Sequence, residues 1–136
     1  MTQTQRELLF KDICCRLPYG VKASTKVGGN IKISFIGEDI IIGEDGDSYD
    51  ISFITPYLYP LSSMTEEQWM DTPYANLNNF TFDSFKCGCQ TLAFETYEVD
   101  LNYVVEFINW CYKNHFDIYG LIPTGLAIDC TTLNIY

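Results

Sequence analysis

The side chains with the most obvious chemical potential are one histidine, His115, and six cysteines at positions 14, 15, 87, 89, 111 and 130. A thiol beside an imidazole can act as a nucleophile–base pair, but such pairs are defined by a local signature at the cysteine or by the fold. No such signature surrounds any of the six. Their spacings are C-C and C-x-C, not the paired C-x2-C of a zinc ribbon, and a single histidine does not complete a mixed ligand set. The chain is therefore expected to carry no metal and no cofactor. Free cysteines of this kind serve most often as small apolar core residues. His115 is expected at a helix C-terminus, where a cation or an N–H donor complements the free carbonyls and the helix dipole. Asp117 follows two residues later, and a turn merely permits that pair to meet.

The acidic turn Gly43 to Ser48 (GEDGDS), with Glu44, Asp45, Asp47 and Asp50, invites comparison with a calcium loop. An EF-hand needs oxygen ligands at alternate positions and a Glu at its twelfth. Here Tyr49 interrupts the series, and Pro56 holds the twelfth position counted from Asp45. An acidic hairpin turn fits better. The phosphate-cradling and nucleophile-elbow patterns do not occur, and Gly28-Gly29 lies between two strands rather than before a helix.

These residues must be positioned by helices and strands that the pattern of side chains predicts. Residues 4–17 read as a helix, opened by a Thr4-x-x-Glu7 capping box. Leu9, Phe10, Ile13, Cys14 and Leu17 would face the core, with Glu7, Lys11, Asp12 and Arg16 toward solvent. Pro18 stops the helix. Val21, Ala23, Thr25 and Val27 then alternate with polar residues, and Ile31, Ile33 and Phe35 do so after the turn Gly28-Gly29-Asn30. Lys22, Lys26 and Lys32 would share the exposed face of that hairpin. Ile40 to Ile42 and Tyr49 to Ile54 complete a four-strand antiparallel meander.

Residues 55–64, with Pro56 and Pro60, are expected to be irregular. Ser63-x-x-Glu66 is expected to cap a short helix through Met70, and 71–79 to form a loop. After an aromatic run at Phe80, Phe82 and Phe85, a strand is expected at 90–97. Asp100 should cap a second long helix whose apolar stripe is Leu101, Val104, Val105, Ile108, Cys111 and Tyr112. An adjacent aromatic flank, Tyr103, Phe107 and Trp110, calls for further cover, either from residues 55–80 or from another subunit. Leu126 to Cys130 reads as a last strand. The expected fold class is α+β, an antiparallel meander sheet packed against two main helices, in a single domain spanning 1–136.

Composition narrows the function classes. Apolar residues make up 47% of the 136, which suffices for a core and excludes disorder. Eighteen acidic residues against eight basic ones give a net charge of −10, whose field would repel nucleic acid. No stretch approaches the length and apolarity of a membrane helix, and the N-terminus lacks the layout of a signal peptide. A cytoplasmic location with reduced thiols is the expectation.

Three segments together resemble a known family: RLPYGVK (Arg16 to Lys22), YLYPLSSMTEEQ (Tyr57 to Gln68) and INWCYKNHFDIYGLIPTGLAID (Ile108 to Asp129). The family consists of small uncharacterised proteins from gut-anaerobe genomes, prophages and phages. Its motifs are LPYGVK, YLRPMSSMTEEE and a W-x3-NHFD-Y-R-G-LI-x2-GLA ending. The resemblance implies a mobile-element accessory setting and no particular activity. Tyr59 and Tyr119 stand where the family usually has arginine, so an anion site built on those arginines would be missing here.

Three functions follow as expectations. The first is a non-enzymatic interaction protein, a phage or prophage accessory that binds and modulates a host protein. Tyr103, Phe107 and Trp110 would form its interface, and a homo-oligomer is the second form of partner. The alternative is a small-ligand module, for instance for a nucleotide signal. Its site would be Tyr57, Tyr59, Ser62 and Ser63 beside His115, Asp117 and Tyr119, where aromatics stack and hydroxyls orient. The third is a thiol- or His115-dependent enzyme.

Overall fold

The computed structural model describes residues 1–38, 40–76, 81–88 and 101–136. The first helix, α1 (Gln3–Arg16), begins two residues earlier than the capping pattern predicts. Its N-cap is Thr2, and Gln5 closes the box from the third helical position. Gln serves as well as Glu there, so Thr2-x-x-Gln5 competes with Thr4-x-x-Glu7 and lengthens the helix by two residues. A short 3-10 turn (Leu17–Tyr19) then carries the chain to left-handed Gly20.

The strands are β1 (Lys22–Thr25), β2 (Asn30–Ile36), β3 (Ile41–Gly43), β4 (Ser48–Tyr49) and β5 (Ile54–Pro60). They pair antiparallel in the order β4-β3-β2-β1-β5. The meander predicted from the turns is present, with two differences. Val27 sits in the β1–β2 turn and is 83% exposed. Residues 51–53 form a 3-10 turn instead of continuing a strand, so Ile51 is buried and Phe53 is exposed.

The larger correction is β5. Residues 55–60 are not irregular but belong to the best-connected strand of the sheet, which pairs with β1, β6 (Phe116–Asp117) and β7 (Ile128–Asp129). Proline usually argues against an inner strand. Here Lys26 donates its N–H to Phe53, so the alternation of an antiparallel ladder makes Ser24↔Thr55 a hydrogen-bonded pair and Ala23↔Pro56 a non-hydrogen-bonded one. The missing donor of Pro56 therefore costs no bond to β1. Pro60 closes the strand. Both β6 and β7 run parallel to β5, so the sheet is mixed.

Between these strands lie α2 (Glu66–Met70), α3 (Phe82–Gly88) and α4 (Leu101–Lys113). The cap of α2 is Thr65 with Gln68, not Ser63 with Glu66. Met64 before the cap and Trp69 after the first turn are both buried in one cluster, the arrangement of a hydrophobic staple. The aromatic run supplies α3, whose Phe85 is buried. The strand predicted at 90–97 and the cap predicted at Asp100 lie outside the described residues.

Two apolar clusters hold the fold. In the first, Leu9 and Ile13 of α1 pack on Val21, Ala23, Ile31, Ile33, Ile41, Ile54 and Leu58 of the sheet. In the second, Phe107 and Cys111 of α4 pack with Trp69, Tyr74, Phe85 and Phe116. Trp69 stacks on Phe85 at 4.9 Å and Tyr74 on Phe107 at 4.5 Å. The buried face of α4 is thus turned toward its aromatic flank, and Val105, predicted to face the core, is 49% exposed.

Where α1 meets the second cluster stands a buried ion pair. Asp12 and Arg16, predicted to face solvent, are both 0% exposed. Arg16 donates Nε and Nη2 to the Asp12 carboxylate at 2.7 and 2.8 Å. Its Nη2 also reaches the Phe116 carbonyl at 2.7 Å, and its guanidinium lies 5.1 Å from the centre of the Tyr112 ring. Helix geometry puts positions 9, 12, 13 and 16 on one face, so burying Leu9 and Ile13 draws the two charges inward with them. Removing one partner leaves the other charge unpaired in the interior, at a cost of roughly 3–5 kcal/mol. Arg16→Met and Asp12→Leu are each expected to lose about that much in chemical denaturation. The double variant is expected to recover most of the loss, because no lone charge is left. Additive single losses in the double variant would refute this account of the pair.

Candidate functional site

Parallel pairing of β5 with β6 sets Tyr59 opposite Phe116 and Pro60 opposite Asp117. The two segments expected to build a ligand site, 57–63 and 115–119, therefore do adjoin. Most of their polar atoms, however, bond within the chain. The Tyr57 hydroxyl donates to Asn30 at 2.7 Å and Ser63 Oγ to the Pro60 carbonyl at 2.7 Å. Asp117 is buried, and its two carboxylate oxygens accept the N–H groups of Leu121 and Ile122 at 2.9 Å each. That fixes the turn into β7 and leaves this carboxylate to serve as a structural acceptor. The Tyr119 hydroxyl accepts from Tyr112 at 3.2 Å, and Lys11 Nζ lies 5.6 Å from its ring. Ser62 is exposed, and its carbonyl accepts from Lys86 Nζ.

His115 departs from the expectation for a helix end. It adopts φ +62, the left-handed conformation that glycine usually supplies after a helix. For a residue with a side chain that conformation is strained by about 1–2 kcal/mol. The backbone takes over the capping role, with His115 N–H donating to Tyr112 O and Tyr59 N–H donating to His115 O. Freed from capping, the imidazole lies flat on Tyr136, with ring centres 3.6 Å apart and planes within 9°. Burial, and then the charges of Arg16 and Lys22, push its pKa down to about 4. The imidazole is therefore neutral at pH 7 and does not act as a helix-end cation. Its Nδ1 is buried without a hydrogen-bond partner.

Three of the described thiols are shifted away from activation. Burial pushes Cys111 up to about 12 and Cys130 up to about 11, and raises Cys14 as well. A nucleophilic thiol needs the opposite shift. Among the described residues, no group of three or more His, Cys, Asp or Glu is placed to hold a metal ion, and no helix is long and apolar enough to cross a membrane. The three lysines of the first hairpin do not form a free basic face. Lys32 pairs with Glu44 at 2.9 Å, Lys22 donates to Ile135 O at 2.7 Å, and Lys26 lies 5.2 Å from the centre of the Phe53 ring.

Of the aromatic flank on α4, Phe107 is 0% exposed and packs inside this chain, covered by Trp69 and Tyr74 of the 55–80 segment. It is not available to another subunit. Tyr103 and Trp110 are half-buried. One face of Trp110 stacks on Phe116 at 5.6 Å, and its indole N–H donates to Asp71 at 2.9 Å. Its remaining surface lines an open recess of about 490 Å³ with Glu67, Gln68, Met70, Asp71 and Asn114. A smaller cleft of about 170 Å³ lies between α1 and β3, lined by residues that include Arg6, Glu7, Phe10, Glu38 and Ile41. Arg6 there is paired with Asp50 at 2.9 Å.

Sequence patterns pointed to the site's neighbourhood but missed Arg16, Lys22 and Tyr136. The spacing of Asp12 and Arg16 on the Leu9–Ile13 face was a usable signal for the ion pair. Nothing local marks Tyr136, which reaches His115 only through the fold. No family model matches the chain, and no curated protein or solved structure is significantly similar to it.

The His115 shift sets a pH dependence. Between pH 6.5 and about 4 the unfolded chain binds a proton at this histidine and the folded chain does not. Stability is therefore present above pH 6.5 and is lost as pH falls toward 4, by up to about 3 kcal/mol. Denaturation curves across that window should show this slope, and His115→Asn should flatten it. An unchanged slope in the variant would show that other groups carry the titration.

Proposed function

We propose that this protein is a non-enzymatic interaction module of the cytoplasm, and that it binds a partner protein through the recess beside Trp110. The observation that carries this reading is the composition of the recess. Its lining joins an oriented tryptophan and an exposed methionine to two carboxylates, with no cation among the six residues. Trp110 is fixed by Phe116 and Asp71, so binding needs little ordering of it. Pre-oriented aromatics are the usual energetic centres of interfaces, and methionine adapts to the surface it meets.

Charge complementarity selects the occupant: a segment of the partner carrying Lys or Arg next to an apolar side chain. Glu67 and Asp71 would meet the cation at the rim, and Met70 and Trp110 the apolar group. The chain's charge of −10 would speed encounter with such a basic surface. The mobile-element setting implied by the family resemblance fits a partner drawn from the host and modulated by occupation of its basic surface. Against the enzyme alternative stand the raised thiol pKa values and the neutral, stacked His115.

The test compares immobilised wild type with Met70→Asp and Glu67→Lys in host lysate, followed by titration with the purified captured protein. Phe35→Asp, at an exposed position on β2, serves as the control. A stoichiometric partner should be held by wild type and by the control, and its affinity should fall at least tenfold in both recess variants, as loss of an interface anchor does. A partner held equally by all four proteins would place the interface elsewhere. Absence of any stoichiometric partner would refute the interaction reading.

A further inference from the structure

The register of β1 with β5 runs through Thr25↔Ile54, Ser24↔Thr55 and Ala23↔Pro56. One further step sets Lys22 opposite Tyr57, and alternation makes that rung a hydrogen-bonded one. The direct bond is replaced by a phenol. Lys22 N–H donates to the Tyr136 hydroxyl at 3.0 Å, and the hydroxyl donates to the Tyr57 carbonyl at 3.0 Å. The two strands fork at this point, and the hydroxyl of Tyr136 completes the ladder between them.

The ring of Tyr136 is recognised as closely as its hydroxyl. His115 lies parallel to it at 3.6 Å, and Tyr59 flanks it at 6.2 Å with planes tilted by 52°. Lys22 Nζ sits 5.6 Å from the ring centre while donating to Ile135 O. Stacking, a cation near a ring and a donor–acceptor pair for a hydroxyl are the parts of a specific aromatic pocket. One wall, His115, is in a strained conformation, as residues at ligand clamps often are. The segment that carries the occupant, by contrast, is irregular. Residues 130–136 form no helix and, after Asp129, no strand, and Leu133 and Tyr136 are 42% and 38% exposed.

We propose that the fork between β1 and β5 is a binding site for a phenolic ring and that Tyr136 is its resident intramolecular ligand. When residues 130–136 lift, a free phenol or a tyrosyl side chain takes the place of Tyr136. Tyr57, Lys22 and His115 are the binding residues: the first two read the hydroxyl through their backbone groups, and the third stacks on the ring. A hydroxyl is required because a bare ring leaves the Lys22 N–H and the Tyr57 carbonyl without partners.

The test uses the full chain with Tyr136→Ala, probed with 4-methylphenol, with toluene, and with an acetylated peptide of residues 133–136. The variant should melt below wild type. 4-Methylphenol should raise its melting temperature by a few degrees in a saturable way. Toluene should do far less, and wild type, whose site is filled, should not respond. Adding His115→Ala should raise the half-saturating concentration roughly tenfold, the worth of one aromatic stack. If the peptide saturates at lower concentration than 4-methylphenol, the natural occupant is a tyrosine on an extended segment; equal saturation indicates a free phenol. No saturable rise, an equal rise with toluene, or an equal rise in wild type overturns the proposal. Should Tyr136→Ala fail to fold, refolding yield with and without 4-methylphenol is the readout, with recovery supporting the site and no recovery overturning it.

Discussion

A guanidinium enclosed in the interior sets the terms for the rest of this fold. Arg16 stays charged at any pH the protein meets, so its surroundings must supply compensation. Asp12 gives it a bidentate carboxylate from its own helix, β6 gives it a carbonyl, and α4 gives it the ring of Tyr112. These partners come from opposite ends of the chain. The first helix is thereby fixed to the last helix and to the strand that follows it. Burial pushes the Asp12 carboxyl up more than the bonds from Arg16 pull it down, so the pair offsets only part of its own desolvation. The same guanidinium helps keep His115 neutral, which lets that ring lie against another aromatic instead of seeking water.

What could be read from the residues alone follows from how local each signal is. The hairpins were legible because Gly28-Gly29 and the Gly43–Ser48 turn separate runs of apolar residues. The two long helices were legible from their stripes. The caps were misplaced by two residues because Thr-x-x-Gln and Ser- or Thr-x-x-Glu stand close together at both sites and local chemistry ranks them equally. Asp12 and Arg16 were assigned to solvent because charged residues usually are, although their positions share a face with Leu9 and Ile13. Only the presence of β6 and Tyr112, about a hundred residues away in sequence, decides that matter.

The non-local features were illegible for a different reason. Strands β6 and β7 have two residues each, too few for any periodicity, and their parallel pairing with β5 depends on a long crossover that includes α2, α3 and α4. Without that pairing, Pro56 and Pro60 make β5 look like a loop. The candidate ligand residues were placed in the right neighbourhood because β5 and β6 bring 57–63 beside 115–119. Their roles were not legible. Whether the Tyr57 hydroxyl is free or bonded depends on Asn30 across the sheet, and the Tyr119 hydroxyl on Tyr112, which the turn after α4 brings back to it.

The two candidate sites differ in a way that bears on what the protein can do. At the fork, the chain satisfies its own aromatic pocket, and any outside ligand must compete with an occupant held at the high effective concentration of a short tether. Such a site responds to strong competitors or to whatever releases residues 130–136. At the recess, Trp110 and Met70 line an opening whose described walls hold no built-in occupant of this kind. The proposed partner would meet the Arg16 hub only indirectly, through the stack of Trp110 on Phe116. The fork, in contrast, shares His115 with that hub through the charge of Arg16. Release of Tyr136 would expose His115, ease its protonation and bring a second positive charge close to the buried guanidinium. Release of Tyr136, as proposed, would therefore bear on the stability of the interior as well as on access to the fork.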